Sequence, residues 1–236
     1  MRHVVCNRTR PPPTGAKAVD FIGINDTALQ AWVCKGQDQD PLLPATEWLC
    51  AQIALACGLP VPPVAVVEVL QHPGRLYFGS LWQSGALDFA HAAGHIGNAG
   101  VFAAAHALDL FINNTDRHRA NFLYLVDVDG QIVAEPIDYN HAFLEEGWPL
   151  PALPLPAHCN TTKEWPILLK YGARDVYARP DGVIAAIAGL SKDWMRDQLR
   201  DMPSDWLPHK LARSIDRWWR GQGRTTRLQQ ALAALP

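Results

Sequence analysis

Apolar and polar positions along this chain fall first into short alternating runs and later into longer helical ones. Between 17 and 35, "KAVDFIGINDTALQAWVCK", two β-favouring runs flank the polar "GINDT", which predicts a hairpin ending near Lys35. "QDQDPLLP" reads as a loop, and "ATEWLCAQIALACG" as a helix capped by Thr46 or an earlier residue and stopped at Gly58. "VAVVEVL" and "RLYFGSLW" have strand length and are separated by "QHPG", a turn carrying both Pro and Gly. The first eighty residues therefore predict a twisted antiparallel sheet with one helix against it.

From about residue 85 the texture changes. In "VFAAAHALDLFIN" the apolar residues Val101, Ala104, Ala105, Leu108 and Phe111 or Ile112 recur at three- and four-residue steps, the mark of a helix. A polar loop follows, then two strands, "FLYLVDVDG" and "IVAEPID". After a proline-rich link at 149–156 the candidate helices are 164–172, 181–189, 191–201 and 205–219. "DWLPHKLARSIDRWWRG" is amphipathic, and its tryptophans read as core. No repeat or heptad run interrupts this order.

Composition narrows the class. At 236 residues, 48% hydrophobic and 19% charged, the chain has a globular balance. Its net charge of −2 supplies no chain-wide basic field, so direct nucleic-acid binding is not expected. No run approaches the length of a membrane span, and "MRHVVCNRTRPPPTG" has no apolar core of a secretory signal. Five cysteines, odd in number and without a CxxC pair, predict reduced thiols and a cytoplasmic setting.

The chemistry concentrates in "FINNTDRHRANFLYLVDVDGQIVAEPIDYNHAF", 111–143, where acids, a histidine and asparagines surround an apolar strand. Asp116 and Asn121 stand five residues apart in a loop, and the end of the second strand delivers Asp138. This arrangement places three oxygen donors at one mouth. Amide and carboxylate oxygens suit Mg²⁺, which binds through one or two carboxylates together with phosphate oxygens and water. Asp116 is then left to accept a proton from, or to orient, an attacking hydroxyl.

"DRHRAN" resembles the D-R-H-x-x-N loop of phosphatidylinositol 3- and 4-kinases. The whole segment is most similar to bacterial HipA-like kinases, through "NTDRH", the apolar strand, "ID" at the end of the second strand, and Phe143. The resemblance reaches upstream to "AWVCKG", "TEWLCAQIALACGLPVPP" and "FGSLW". It implies a bilobal, α+β, protein-kinase-like fold, with an N-lobe at 1–82 and a mainly helical C-lobe at 83–236 forming one domain. It also implies an ATP- and Mg²⁺-dependent kinase acting on Ser or Thr of a protein substrate, with an antitoxin-like regulator as a further partner.

Carried to this chain, the resemblance makes Asp116 the catalytic aspartate and Asn121 and Asp138 the Mg²⁺ ligands. His118 steadies the loop or the transferred phosphate. Lys35 reaches the ATP phosphates and Glu47 pairs with it. The segment 79–86, which includes Trp82, is the hinge that meets adenine. The G-x-G-x-x-G phosphate loop of protein kinases is absent. "PTGAKAVDF" resembles the short glycine turn of HipA-like proteins, with Gly15 allowing close backbone approach and Lys17 adding charge. The resemblance spans the kinase-like region, and no counterpart of the separate N-terminal subdomain of larger HipA proteins is expected within these residues.

Several residues carry plainer readings. Asp109 suits a cap or a salt bridge, and Arg117 and Arg119 suit either phosphate contact or a solvated position. Asp127 and Asp129 are explained by turn chemistry. His91 and His95 have the spacing of zinc ligands on one helical face, but "HAAGH" lacks the glutamate of metalloproteases and reads as structural or surface. Thr161 or Thr162 is a candidate self-phosphorylation position. Two rival functions remain at this level. One is a kinase-shaped binding module without turnover. The other is a metal-dependent phosphohydrolase, which requires a second metal.

Overall fold

The computed structural model describes residues 2–14, 18–145, 147–172 and 180–236. Gly15 and Lys17 lie outside the described residues. The sheet contains β1 (His3–Cys6), β2 (Arg8–Arg10), β3 (Phe21–Asn25), β4 (Gln30–Lys35), β5 (Val64–Val69) and β6 (Leu76–Leu81), and α1 (Leu43–Ala56) packs against it. Strand order is β1-β5-β6-β4-β3-β2, antiparallel except for the β1–β5 pair.

β1 and β2 stand at opposite ends of that order, yet Asn7 alone separates them in sequence. The sheet therefore rolls up: Leu70 N–H donates to Cys6 O and Asn7 N–H to Ile24 O, so one bent strand pairs on both sides. Inside the roll sit Val4, Cys6, Trp32, Cys34, Ala65, Val67 and Tyr77. Gly79 is required there, because a Cβ would lie 2.3 Å from Cγ2 of Val67, a stiff β-branched side chain.

The expected hairpin and the strands at 64–70 and 75–82 are present. β1, β2 and the parallel pairing depart from the expected antiparallel sheet. His3–Cys6 alternates exposed and buried, but over only four residues, and its partner lies some sixty positions away. α1 starts two residues earlier than its pattern predicts. Thr46 lies within it, and the Asp40 carboxylate accepts from Leu42 N–H at its entrance. Gly58, at φ +77°, ends it as expected.

The helical part is built on α3 (Val101–Ile112), which follows the short α2 (Phe89–Ala92). α3 is buried on nearly every face, not along one stripe, because the hairpin β7 (Phe122–Val126) and β8 (Ile132–Pro136) approaches one side. The helices α4 (Asn160–Gly172), α5 (Pro180–Gly189) and α8 (Gln222–Ala234) pack around the others. α6 (Trp194–Asp201) and α7 (His209–Arg220) complete this part.

α4, α6 and α7 differ from their predicted bounds, since α4 opens at Asn160, α6 at Trp194 and α7 only after Pro208; α8 is an element the apolar pattern did not signal. α8 contributes Arg227, whose guanidinium donates to Leu110 O, Phe111 O, Pro151 O and Asn113 Oδ1. The end of α3 is thereby capped at the point where the polar loop begins. Trp206 and Trp219 are fully buried, as the amphipathic pattern implied, while Trp218 is partly buried against the same core. Among the described residues no helix is long and apolar enough to cross a membrane.

Candidate active site

Alternation along β4 decides which side chains can do chemistry. Trp32 and Cys34 point into the roll, so Val33 and Lys35 face the opposite way, into a crevice of about 870 Å³ between the sheet and the helical part. The crevice is lined from the sheet side by Lys35, Phe78 and Trp82, and from the helical side by Asp116, Asn121 and Asp138. Residues predicted from separate stretches are thus brought to one hollow.

Lys35 is only 5% exposed and would be unfavourable there without partners. Its Nζ lies 2.5 Å from Glu47 Oε1 and 2.7 Å from Asp138 Oδ1. Glu47 Oε1 also accepts from Tyr139 N–H at 3.0 Å, which ties α1 to the segment after β8. Burial works against the ammonium, but the two carboxylates outweigh it and raise the Lys35 pKa above its ordinary value. Burial likewise pushes the Asp138 carboxyl upward, yet Lys35 beside it holds the net value below the usual range. Glu47, enclosed on all sides, is shifted upward by burial despite Lys35.

Asp138 has φ +62°, in the left-handed region that Asp and Asn tolerate better than most residues. That turn carries the carboxylate out of the β8 direction and toward Lys35.

The loop before β7 is held by asparagines and one arginine. Asn114 Oδ1 accepts from Asp116 N–H at 3.1 Å, and Asn121 Nδ2 donates to Asp116 O at 2.9 Å. An amide whose NH₂ is held this way turns its oxygen elsewhere, which is the orientation a cation ligand needs. His118 Nε2 is 3.9 Å from Asp116 Oδ2, a charge-range contact and not a hydrogen bond.

Arg117 is neither solvated nor set toward phosphate. It is 3% exposed, paired with Asp109 through Nε at 3.0 Å and Nη2 at 3.1 Å, and it donates through Nη1 to Asn121 O at 2.9 Å and Ile137 O at 2.5 Å. One buried guanidinium therefore joins α3, the loop carrying Asp116 and the residue before Asp138. Arg119 pairs with Glu164, Nε to Oε2 at 3.0 Å.

Two residues went unnoticed in sequence. Asn160, the first residue of α4, donates from Nδ2 to Asp116 Oδ1 at 2.6 Å, and no local spacing signals a contact across 44 positions. Glu145, with a buried Oε1 lacking a partner among the described residues, has its carboxyl pushed up to about 8 by burial and by Asp40 and Glu47 nearby. Thr161 is corrected as a modification site. It is buried, and its hydroxyl accepts from Arg117 N–H at 2.8 Å and donates to Asn114 O at 2.7 Å; Thr162 is exposed. The expected hinge is narrower too. The N–H groups of Leu81 and Trp82 donate to Pro63 O and Ala31 O within the sheet, and Gly79 faces into the roll. Gln83, Gly85 and Ala86 remain along the crevice wall. Trp82 does line the crevice, with the Arg10 guanidinium 5.1 Å over its ring. α2 ends at Ala92, so His91 and His95 do not share one helix.

A rolled sheet and helix facing a helical part across such a crevice can be compared with solved structures. The Helicobacter pylori proinflammatory kinase CtkA superposes with a TM-score of 0.51 at 9% identity, covering 98% of this chain and 98% of that one. The chain has a kinase-like fold. A structure of WaaP in complex with acyl carrier protein aligns at a TM-score of 0.37 and 12% identity, over 97% of this chain and 88% of that one. No protein-family model and no curated protein sequence matches the chain.

The donors in the crevice fit a hard cation. Asn121 is oriented by its bond to Asp116, Asp138 keeps one oxygen outside its bond to Lys35, and Asn140 Oδ1 is buried without a partner among the described residues beside them. Among the described residues no three His, Cys, Asp or Glu side chains group to hold a metal alone. A cation held here would complete its shell from phosphate oxygens and water.

Proposed function

We propose that this chain is an ATP-dependent phosphotransferase, with residues 1–82 and 83–236 as two lobes closing on the nucleotide. The observation that carries the reading is the Lys35–Glu47–Asp138 contact across the crevice, with Asp116 and Asn121 on the same wall. Phosphoryl transfer asks a protein mainly for positioning and charge neutralisation, and these groups supply both.

Glu47 holds the Lys35 ammonium where it meets phosphate oxygens, and the backbone at 83–86 borders the adenine. By the resemblance to HipA-like kinases, Gly15 and Lys17 are assigned to phosphate binding. Asn121 and Asp138 would hold Mg²⁺, which neutralises phosphate charge when bound. Asp116 receives the acceptor's hydroxyl proton as that oxygen bonds to the γ-phosphorus and the bond from phosphorus to the ADP oxygen breaks. His118 stands beside Asp116 to steady the loop or the transferred group. By the resemblance to HipA-like kinases, the acceptor is a Ser or Thr of a protein, and an antitoxin-like regulator is the further partner.

Incubation with Mg²⁺ and γ-labelled ATP tests this, read as ADP formation, self-labelling and labelling of added protein. Asp138→Asn is expected to abolish all three with the fold intact, because Asn also tolerates a positive φ. Undiminished turnover in that variant removes the assignment. Nucleotide binding without ADP or label favours a binding module instead, a reading consistent with the direct Lys35–Asp138 pairing, which must open before both groups act. Phosphate release from ATP or phosphoesters with no acceptor labelled favours a phosphohydrolase.

A further inference from the structure

We propose that Asn160 is a positioning residue for phosphoryl transfer, its side-chain amide fixing which oxygen of Asp116 faces the acceptor hydroxyl. The inference rests on the phosphotransferase reading above and adds to it a residue outside the loop and strand that carry the other groups.

A carboxylate turns easily about its last bond, with two nearly equivalent orientations. Something must choose between them if one oxygen is to receive a proton from a defined direction. The backbone of Asp116 is held through its N–H by Asn114 and through its carbonyl by Asn121, but neither contact restrains the carboxylate. Among the described residues, the Asn160 amide is the one side-chain donor within hydrogen-bond distance of it, at 2.6 Å from Oδ1, while His118 stands at 3.9 Å from Oδ2. Oδ1 is therefore engaged and Oδ2 is left for the acceptor.

The placement of Asn160 is built, although its own side chain is exposed. The next residue, Thr161, bonds through its hydroxyl to Arg117 N–H and Asn114 O, and through its N–H to Thr115 O at 3.2 Å. The first turn of α4 is thus fastened to the loop on both sides of Asp116, which holds the amide in register with the carboxylate.

The choice of an amide suits the task. A Lys or Arg here would pair with the carboxylate and compete with the proton it must receive, whereas a neutral N–H orients it and leaves its charge uncancelled. The Asn160 side chain is solvent-exposed, so water can replace this hydrogen bond and it contributes little to folding. Stability does not account for it.

The test is a double-mutant cycle read with Mg²⁺ and ATP as ADP formation and self-labelling. Asn160→Ala is expected to lower kcat by about 10- to 100-fold, the scale of a displaced catalytic group, with the KM for ATP and the thermal midpoint close to the parent. Asn160→Gln, which keeps the donor, restores part of the rate. In an Asp116→Ala background, Asn160→Ala causes no further loss, because the residue acts through the missing carboxylate. An Asn160→Ala enzyme at the parental rate, or one that loses the same factor without Asp116, overturns the inference. So does a fall in thermal midpoint that accounts for the lost activity. An active, Asp138-dependent protein indifferent to Asn160→Ala overturns this inference alone, whereas an inactive parent overturns the phosphotransferase reading along with it.

Discussion

Arg117 and Glu145 show how much a single side chain does once burial removes it from water. Arg117 sits in the middle of the loop motif, where sequence leaves a solvated role and a phosphate role open, and the structure shows neither. Its pairing with Asp109 raises the arginine pKa against the effect of burial, and burial in turn raises Asp109 despite the arginine. Removing one partner of such a pair leaves a buried charge uncompensated. Arg117→Met is therefore expected to cost about 3–5 kcal/mol in urea unfolding. Combining it with Asp109→Leu should recover part of that stability but not the proposed phosphotransfer, because Asn121 O, Ile137 O and Asn114 Nδ2 still lack their partners. Full recovery of both would show that the guanidinium does not position the loop.

Glu145 gives the pH dependence. Its carboxyl is raised to about 8 in the folded chain, against an ordinary value of 4.5. The folded state then holds a proton that the unfolded chain releases, so this contribution is complete below about pH 4.5 and is lost as pH rises through about 8. Glu145→Gln is expected to flatten the decline in thermal midpoint between pH 5 and 8.5. Parallel curves for the two proteins would contradict that.

Among elements, the local ones were legible. The β3–β4 hairpin, α1, the β5–β6 pair, α3 and the β7–β8 hairpin are each announced by a run of matching period and a turn or stop residue beside it. Alternation on β4 even carries the placement of Lys35, since a residue two positions from Val33 shares its face. What escaped was set by partners remote in sequence. β1 is too short to announce itself and gains its partner only when β5 arrives beside it. α8 shows a weak apolar pattern because part of its role is to bring Arg227 to the carbonyls that end α3. Asn160 is invisible for the same reason: a helix start is readable, but not which loop it will meet.

At the scale of the whole molecule, the sheet part and the helical part share one interior. Trp48, Leu49, Val66 and Phe78 belong to the same apolar cluster as Phe102, Leu108 and Phe111. Trp206 donates from the helical part to Leu76 O at 3.1 Å, and Gln37 from the sheet part to Asp205 O at 2.9 Å. Lys35, Glu47 and Asp138 add a buried ionic link over the crevice. Scanning calorimetry is accordingly expected to show one cooperative transition, with calorimetric and van't Hoff enthalpies in agreement. Two resolved transitions would mean that the parts fold independently and meet weakly.

Read alone, the sequence determined the residue types and their local setting: a lysine closing an apolar strand, an acid within the following helix, and Asp116, Asn121 and Asp138 around a short hairpin. These follow from hydrophobic period and turn chemistry, which act over a few residues. The tertiary structure decided that these groups face one crevice, that Arg117 is a buried clamp, that Thr161 is inaccessible, and that Asn160 meets Asp116. The crevice and the Asn160 and Thr161 contacts depend on hydrogen bonds between segments 44 to 103 positions apart, and the Arg117 clamp depends on burial; neither exists until the chain has closed on itself.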